Sequence, residues 1–264
     1  MKLSIVIPLY NEENILQDMA NKIANGCDRI IGKGEWQFIL VNNGSIDGTQ
    51  QIINNITEIW PSTISIFEEN PNYGKALRAG IEAGKTDFIH VINIEQWDMM
   101  FLAWSWENRD KYDLTLGSKR ADPTTNHQSS YRRLLSWGLN SLLDLLFEYP
   151  GADTHGPKLL NRNSMRRVLD ACVMDRGQYD TELTLRALRE GLCIAECPSE
   201  YIEYRKPRNL MVKKICWNIL AITRMWWILR KVDYKSYVRL YRFTRYDLID
   251  ASNKYSIDMQ RNVF

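Results

Sequence analysis

Residues 2–12, KLSIVIPLYNE, constrain the fold more strongly than any other stretch of the chain. They contain β-branched aliphatic residues at 5–7, which are typical of a short buried strand. Pro8 has no backbone donor for a further ladder bond, and the polar residues 11–13 are typical of a helix start. We therefore predict a strand, a turn and a helix in direct succession. At this point an ordinary strand-to-helix junction and a ligand-binding one look alike.

Strand and helix patterns alternate through the first half of the chain. The predicted strands are residues 2–8, 37–42, 63–67 and 88–93, and the predicted helices between them are residues 12–25, 48–60 and 74–84. This alternation predicts an α/β fold, with a mostly parallel central sheet and helices on both faces. Ligands of such sheets bind beyond the carboxyl ends of the strands. Three polar turns are expected to meet there: residues 8–12, 42–49 and 93–98.

The second half of the chain contains fewer and longer elements. We predict helices at residues 130–147 and 181–190 and a strand at residues 192–198. With 264 residues, 45% hydrophobic and 25% charged, the chain is long enough for one large core or for a core with an appendage. Its five cysteines are scattered and lack paired metal-ligand spacing, which favours a reduced, cytoplasmic protein.

Positive charge is concentrated near the C-terminus. Residues 205–245 contain twelve Lys or Arg residues and one acid, so this segment carries +11 although the whole chain carries only +2. An anionic partner is expected, either a membrane surface or a nucleic acid. The apolar stretch 215–229 is too short and too polar for a good membrane span. Its tryptophans favour a helix that lies in the membrane interface: Trp217, Trp226 and Trp227.

Three sequence motifs occur in a characteristic order. They are SIVIPLYNEE at 4–13, VNNGSIDGT at 41–49 and NYGKALRAG at 72–80, followed by NIE at the strand end 93–95. The chain here resembles the family 2 glycosyltransferases of the GT-A fold, which carry two aspartates in the second motif and a DxD at the last position. Its second half is similar to the dolichyl-phosphate mannose synthase group and its bacterial polyprenyl-phosphate relatives, at residues 131–140, 151–162 and 179–198.

This resemblance extends over residues 2–212. It implies a GT-A glycosyltransferase domain at residues 1–212 and a basic, aromatic-rich helical extension at residues 213–264. The resemblance also implies a nucleotide diphosphate sugar as donor and a polyprenyl phosphate as acceptor. The positions that it assigns to donor binding are Pro8, Tyr10, Glu12, Asn42, Asn43, Lys75, Asn93 and Arg205.

The acidic pattern of the family is reduced in this chain. Asn42, Asn43 and Asn93 stand where the family has aspartates, and Glu95 is still charged. An asparagine oxygen accepts a hydrogen bond, but more weakly than a carboxylate does. Mg²⁺ and Mn²⁺ prefer carboxylate oxygens, so the resemblance implies a weakened metal site at Glu95, with Asp98 nearby.

The acceptor-side positions match the family better. The resemblance implies catalytic roles for Asp180 and Glu182 and acceptor-phosphate contacts for Arg132 and Ser136, which lie one helical turn apart. Structural interpretations stay open, since Asp180 and Glu182 suit a helix N-terminus and Arg132 suits a solvated helix start. A lipid phosphate is largely ionised at neutral pH, so its attack on a sugar needs no strong base.

The favoured function is an inverting glycosyltransferase that is cytoplasmic and peripheral to the inner face of an anionic membrane. Three alternatives stay open: a GT-A-fold binding protein with weakened or lost catalysis, a glycosyltransferase with a saccharide hydroxyl as acceptor, and a basic segment that binds nucleic acid. In the favoured interpretation no nucleic acid partner is expected.

Overall fold

A computed structural model describes residues 1–119, 121, 130–151, 153–199, 211–230 and 239–255. Side chains are described throughout these ranges except at residues 130–136, 139 and 211–216. Three positions assigned from the sequence are affected. Arg205 lies outside the described residues, and Arg132 and Ser136 lie in a helix at positions whose side chains are not described.

One eight-stranded sheet runs through the described residues. Its strands are β1 (Leu3–Leu9), β2 (Trp36–Asn43), β3 (Ile64–Glu68), β4 (Phe88–Val91), β5 (Leu114–Ser118), β6 (Lys158–Asn161), β7 (Cys193–Pro198) and β8 (Arg239–Arg242). They lie side by side in the order β3-β2-β1-β4-β6-β5-β7-β8. Neighbouring strands are parallel, except that β6 is antiparallel to both β4 and β5.

Helices cover both faces of this sheet. They are α1 (Leu16–Ile30), α2 (Thr49–Ile59), α3 (Tyr73–Ala83), α4 (Met99–Glu107), α5 (Ser130–Phe147), α6 (Arg162–Ala171), α7 (Tyr179–Arg189), α8 (Met211–Leu229) and α9 (Arg245–Lys254). One face packs against α1, α2, α4 and α9, and the other packs against α3 and α5 to α8. The mostly parallel α/β sheet predicted from the sequence is confirmed.

The local sequence explains why these elements form where they do. In α1, the buried residues Leu16, Ala20, Ile23 and Cys27 recur at helical spacing and form one apolar face. In β1, all seven residues are buried because the strand lies inside the sheet with helices on both faces. The helical period of 3.6 residues is therefore visible in the helices. The central strands are uniform apolar runs and lack the period of 2 that half-buried strands have.

The C-terminal segment contributes a strand as well as helices. The sequence analysis predicted helices there, but β8 pairs in parallel with β7 and extends the same sheet. Phe243, which follows β8, packs its ring 4.5 Å from that of Trp104 in α4, and Lys254 of α9 forms an ion pair with Glu107 at 2.7 Å. Of the helices that the structure describes, none has both the length and the apolar character needed to cross a bilayer.

Candidate active site

The turns that follow β1 and β2 are hydrogen-bonded to each other at the carboxyl edge of the sheet. Asn11, whose φ of 56° is left-handed, accepts from the backbone N–H of Ile46 at 2.9 Å. The backbone N–H groups of Asn11 and Glu12 donate to Ser45 Oγ at 3.0 Å and to Thr49 Oγ1 at 2.7 Å. These hydrogen bonds hold the first two motifs together at the sheet edge, as the topology predicted.

Asn42 uses both ends of its amide inside the protein. It is fully buried, its Oδ1 accepts from the backbone N–H of Ser45 at 2.9 Å, and its Nδ2 donates to Gln50 Oε1 at 2.8 Å. Gln50 in turn donates through Nε2 to Asn54 Oδ1 at 3.0 Å. An aspartate at position 42 has no donor for Gln50, so the amide and its glutamine partner fit each other.

Asn43 connects β2 to the opposite side of the site. Its Oδ1 accepts from the backbone N–H of Asn72 at 2.6 Å. Asn72 caps α3, and its own Oδ1 accepts from the backbone N–H groups of Lys75 at 3.2 Å and Arg176 at 2.9 Å. Gly74 permits this close approach, because a Cβ atom there lies 2.5 Å from the Arg176 nitrogen. The strand end of β2 is thus joined to the turn that precedes α7.

Asn93 and Glu95 lie where β4 ends, in the position of the expected metal site. Both are half-buried, and Asn93 Nδ2 donates to Gln96 Oε1 at 3.0 Å. Asp98 Oδ1 caps α4 by accepting from the Phe101 backbone N–H at 3.0 Å. Across the described ranges, no three acidic, His or Cys side chains gather into a ready-made metal site. One carboxylate with one neutral oxygen fits a Mg²⁺ or Mn²⁺ ion that takes its other ligands from phosphates and water.

A buried cluster of Tyr73, Lys158 and Asp180, which we call the Lys158 cluster, lies next to Asn93. Lys158 Nζ donates to Asp180 Oδ1 at 2.7 Å and to the Gly156 carbonyl at 3.0 Å, and the Tyr73 hydroxyl donates to Asp180 Oδ2 at 3.1 Å. Lys158 and Asp180 are each only 1% exposed. Burial, together with the Asp180 charge and hydrogen bond, raises the pKa of Tyr73 well above its ordinary value, although a hydrogen bond from Asn93 opposes this.

Glu182 lies two residues after Asp180 in α7 and has other partners. It is fully buried, and its Oε2 accepts from the backbone N–H groups of Val173 at 2.8 Å and Met174 at 2.6 Å. Its Oε1 accepts from the Arg186 guanidinium at 2.8 Å. These contacts fix the loop that precedes α7, so the geometry gives Glu182 a positioning task for Asp180 and its neighbours.

His90 lies in β4 below the cluster. It is fully buried, its Nδ1 lies 2.9 Å from the Lys158 carbonyl oxygen, and its ring stacks on Phe101. Since a carbonyl only accepts, Nδ1 carries the proton. Burial lowers the pKa of His90 to about 4, which the hydrogen bond to Lys158 only partly offsets. The imidazole is therefore neutral near pH 7.

The remaining donor positions differ in exposure. Pro8 and Glu12 are buried, Tyr10 is 40% exposed, and the Lys75 side chain extends from the exposed side of α3. The sequence analysis assigned no role to Tyr73 or Lys158, although it quoted the motifs that contain them. A signal was present at Lys158, since a lysine that begins the apolar run of β6 must find a partner if the strand is buried.

Comparison with known proteins supports the sequence motifs. Residues 4–93 match the family model for glycosyl transferase family 2. The dolichyl-phosphate beta-glucosyltransferase of Trichomonas vaginalis is 28% identical over 223 residues, which cover 76% of this chain and 66% of that protein. The undecaprenyl-phosphate 4-deoxy-4-formamido-L-arabinose transferase of Aeromonas hydrophila is 30% identical over 95 residues, or 35% of this chain and 28% of that protein. The chain thus spans no more than 66% of the length of these two relatives.

A solved structure shows the same fold. Glucosyl-3-phosphoglycerate synthase from Mycobacterium tuberculosis, in complex with Mn²⁺, UDP-glucose and phosphoglyceric acid, superposes with a TM-score of 0.55 at 16% identity and covers 85% of this chain and 79% of that one. At this identity the likeness concerns the fold alone. The sheet order and this superposition show that the chain has the GT-A fold, and its residues 4–93 are similar to the family model for glycosyl transferase family 2.

Proposed function

We propose that this protein is an inverting glycosyltransferase that moves a sugar from a nucleoside diphosphate to a polyprenyl phosphate. The observation that carries the proposal is the continuous chain of side chains from Asn93 through Tyr73 and Asp180 to Lys158. It connects the donor side of the sheet edge to the half of the chain that resembles lipid-phosphate enzymes. The two curated relatives, which are named for transfer to dolichyl and undecaprenyl phosphate, support the acceptor class.

The proposed reaction is a single displacement. A phosphate oxygen of the acceptor attacks the anomeric carbon from the face opposite the leaving group, and the bond between that carbon and the diphosphate oxygen breaks. The nucleoside diphosphate leaves with the electron pair, and the configuration at the anomeric carbon inverts. Because the attacking phosphate oxygen is already ionised, the protein contributes alignment and charge stabilisation rather than a strong base.

The proposed tasks of the site residues divide between the donor and the acceptor. Tyr10 and Asn43 bind the nucleoside, and Asn93 and Glu95 face the donor diphosphate, where they would hold a divalent cation that would supply positive charge for the leaving group. Asp180 orients Tyr73 and Lys158 at the sugar, and Glu182 positions the loop before α7. For the positions without a described side chain, the proposal retains the sequence assignment: Arg132 and Ser136 bind the acceptor phosphate, and Arg205 binds donor phosphates.

The proposed location is the inner face of the membrane. In α8, Ile222, Met225 and Leu229 are buried against the core. The opposite face exposes Trp217, Leu220 and Trp227 by 52–65%, together with the exposed Arg224. Tryptophans beside cationic side chains suit the interface of an anionic membrane. Residues 213–264, which the sequence analysis separates from the domain at 1–212, thus extend the sheet through β8 and expose this face of α8.

The test is a transfer assay with a panel of nucleotide sugars, a short-chain polyprenyl phosphate and Mn²⁺ or Mg²⁺. We expect lipid-linked sugar of inverted anomeric configuration from at least one donor. Asp180→Asn is expected to reduce its formation at least a hundredfold, whereas Asp110→Asn, at an exposed acid outside the site, is the matched control for the loss of a carboxylate. A correctly folded protein that transfers no sugar to lipid phosphate would contradict the proposal, and transfer to saccharide acceptors alone would replace the proposed acceptor.

A second candidate is a nucleotide-sugar binding protein without catalysis. The single carboxylate at the metal position favours it, because three neutral amides replace the family's aspartates. Calorimetry with nucleoside diphosphates separates the two functions. Donor binding without turnover supports the second candidate, and binding with turnover excludes it.

A further inference from the structure

The turn Arg176–Gln178, which leads into α7, depends on contacts with other parts of the protein. Its first residue, Arg176, has a left-handed φ of 56°, which costs free energy in a residue with a side chain. The helix α7 begins without a side-chain cap, and apart from its chain neighbours no described atom lies within 4 Å of a Cβ built on Gly177. Contacts from elsewhere must therefore fix the start of this helix, where Asp180 lies.

His155 supplies one of these contacts from the loop before β6. Its Nε2 lies 2.9 Å from the Gly177 carbonyl oxygen, and its Nδ1 lies 3.0 Å from Thr154 Oγ1. Thr154 Oγ1 in turn lies 2.9 Å from Thr181 Oγ1. These three side chains and the backbone from Gly177 to Thr181 thus close a ring, and Asp180 belongs to the backbone part of that ring.

The direction of each hydrogen bond in the ring follows from the chemistry of its partners. A carbonyl only accepts, so His155 carries a proton on Nε2. Burial lowers the pKa of His155, against the opposing charges of Asp180 and Asp153, so the imidazole is neutral near pH 7 and its Nδ1 is an acceptor. The Thr154 hydroxyl then donates to Nδ1, and the Thr181 hydroxyl donates to Thr154 Oγ1. One tautomer of His155 therefore sets the direction of the whole chain.

The loop that carries His155 is anchored to the sheet. Asp153 Oδ1 accepts from the backbone N–H groups of the next two residues at 2.8 and 3.1 Å. The Asp153 backbone N–H donates to the fully buried Glu196 of β7 at 3.0 Å. A Cβ atom on Gly156 would overlap the Gly117 carbonyl oxygen, so the loop packs directly against β5. The imidazole thus connects a fixed loop to a turn that needs support.

We propose that His155, as a neutral imidazole, is a positioning residue for Asp180 that links the anchored loop 153–156 to the turn before α7. It holds the backbone around Asp180, while Lys158 and Tyr73 hold the carboxylate itself. A displacement of a reacting group by about 1 Å can reduce a rate about a hundredfold, so this link affects turnover more than substrate binding. The inference rests on the proposed transferase function and adds a residue to its site.

Nitrogen NMR of the full chain tests the hydrogen-bond pattern without any substrate. The chain has three histidines, and His155→Gln identifies the signals of His155 by their loss. At pH 7 we expect a neutral ring with its proton on Nε2. A proton on Nδ1 alone, or on both nitrogens, overturns the inference.

Steady-state transfer kinetics measure the effect on catalysis. His155→Leu removes both ring nitrogens, and we expect kcat to fall about tenfold while KM for the nucleotide sugar stays within about threefold of wild type. His155→Gln keeps a donor for the Gly177 carbonyl and is the matched control, with kcat expected within about threefold of wild type. Urea unfolding verifies that each variant is folded in the assay.

The outcomes separate this role from the proposed function. If His155→Leu keeps kcat within about twofold of wild type, or if both variants lose turnover equally, the positioning role is overturned and the proposed function stands. If His155→Leu does not fold, Thr154→Val takes its place, because it interrupts the same chain and keeps the imidazole; an unchanged kcat then overturns the role. A folded wild-type protein that transfers no sugar to any acceptor overturns the proposed function and this role together.

Discussion

The two sides of the sheet edge hold their polar groups by different means. At the ends of β1 and β2, neutral amides bond to backbone groups and to other amides, as Asn42 does with Ser45 and Gln50. At the start of β6 and α7, fully buried charges are paired, as Lys158 is with Asp180. The two kinds of contact differ in how much stability a substitution is expected to remove. A neutral hydrogen bond contributes about 1 kcal/mol, whereas removal of one partner of a buried ion pair costs about 3–5 kcal/mol.

This contrast also bears on function. The amide side carries the neutral side chains of Asn42, Asn43 and Asn93, whereas the charged side contains the buried pair of Lys158 and Asp180. Changes on the amide side are therefore expected to alter ligand preference more than stability. Changes on the charged side are expected to alter stability more than ligand preference.

The largest expected effect is that of Lys158→Met. Removal of the cation leaves Asp180 buried without its charge partner, so the free energy of unfolding is expected to fall by about 3–5 kcal/mol. Urea unfolding measures it, with the exposed Lys75→Met as the control that stays within about 0.5 kcal/mol of wild type. A loss below about 1 kcal/mol would show that the contrast between the two sides is wrong.

The next effect is a loss of stability in acid that comes from His90. The unfolded chain binds a proton at this residue near its ordinary pKa of 6.5, but the folded chain only near about 4. Stability from this group is thus complete above pH 6.5 and falls as the pH drops toward 4, by about 3 kcal/mol.

The difference between wild type and His90→Gln isolates this contribution from that of the carboxylates. Urea midpoints at pH 7, 5.5 and 4 are compared for both proteins. We expect the variant to lose less stability between pH 7 and pH 4 than wild type does. Parallel curves would mean that the folded protein protonates His90 without cost.

Gly74→Ala tests the connection between the two sides. The new Cβ lies 2.5 Å from the Arg176 backbone nitrogen and forces α3 away from the turn before α7, at a cost of about 1–3 kcal/mol. Gly138→Ala in α5 is the control, because beyond the helix's own backbone no described atom lies within 4 Å of a Cβ there, and alanine is expected to stabilise that helix by up to about 1 kcal/mol. Equal effects at both glycines would remove the argument for a tight contact.

The smallest change in stability is expected for Asn93→Asp on the amide side. The residue is half-buried and loses the neutral hydrogen bonds that its amide makes to Gln96 and to Tyr73, so unfolding free energy is expected to change by about 2 kcal/mol or less. The second carboxylate beside Glu95 is expected to increase the gain in nucleoside diphosphate affinity that Mn²⁺ provides. Titrations with and without Mn²⁺ measure this gain, and a smaller gain than in wild type would contradict the role assigned to Asn93.

The sequence predicted β1, β2 and β4 well, because these strands are apolar runs of ordinary strand length. It did not predict β5, β6 or β8. β6 and β8 have four residues each, KLLN and RLYR, which is too short to show a period, and both carry charge. Their pairing depends on contacts across the sheet that no local pattern encodes.

The candidate site was only partly accessible from the sequence. Strand topology placed Tyr10, Asn43 and Asn93 at one sheet edge, whereas Asp180 was assigned to the site only by the family resemblance. The partners of the amides, such as Gln50 and Gln96, could not be predicted, because the direction of a side-chain amide depends on its neighbours in space. The ion pair between Lys158 and Asp180 could not be predicted either, because it joins residues that are 22 positions apart in the sequence.

The short helical turn Arg176–Gln178 touches three elements at once. Its first backbone N–H binds Asn72 at the start of α3, Gln178 donates to Asn218 of α8 at 2.9 Å, and the Arg176 guanidinium lies 5.0 Å from the centre of the Trp217 ring. The turn leads directly into α7 and Asp180. If the proposed membrane binding buries Trp217, the Arg176 guanidinium loses its contact with that indole ring, four residues before Asp180 in the chain.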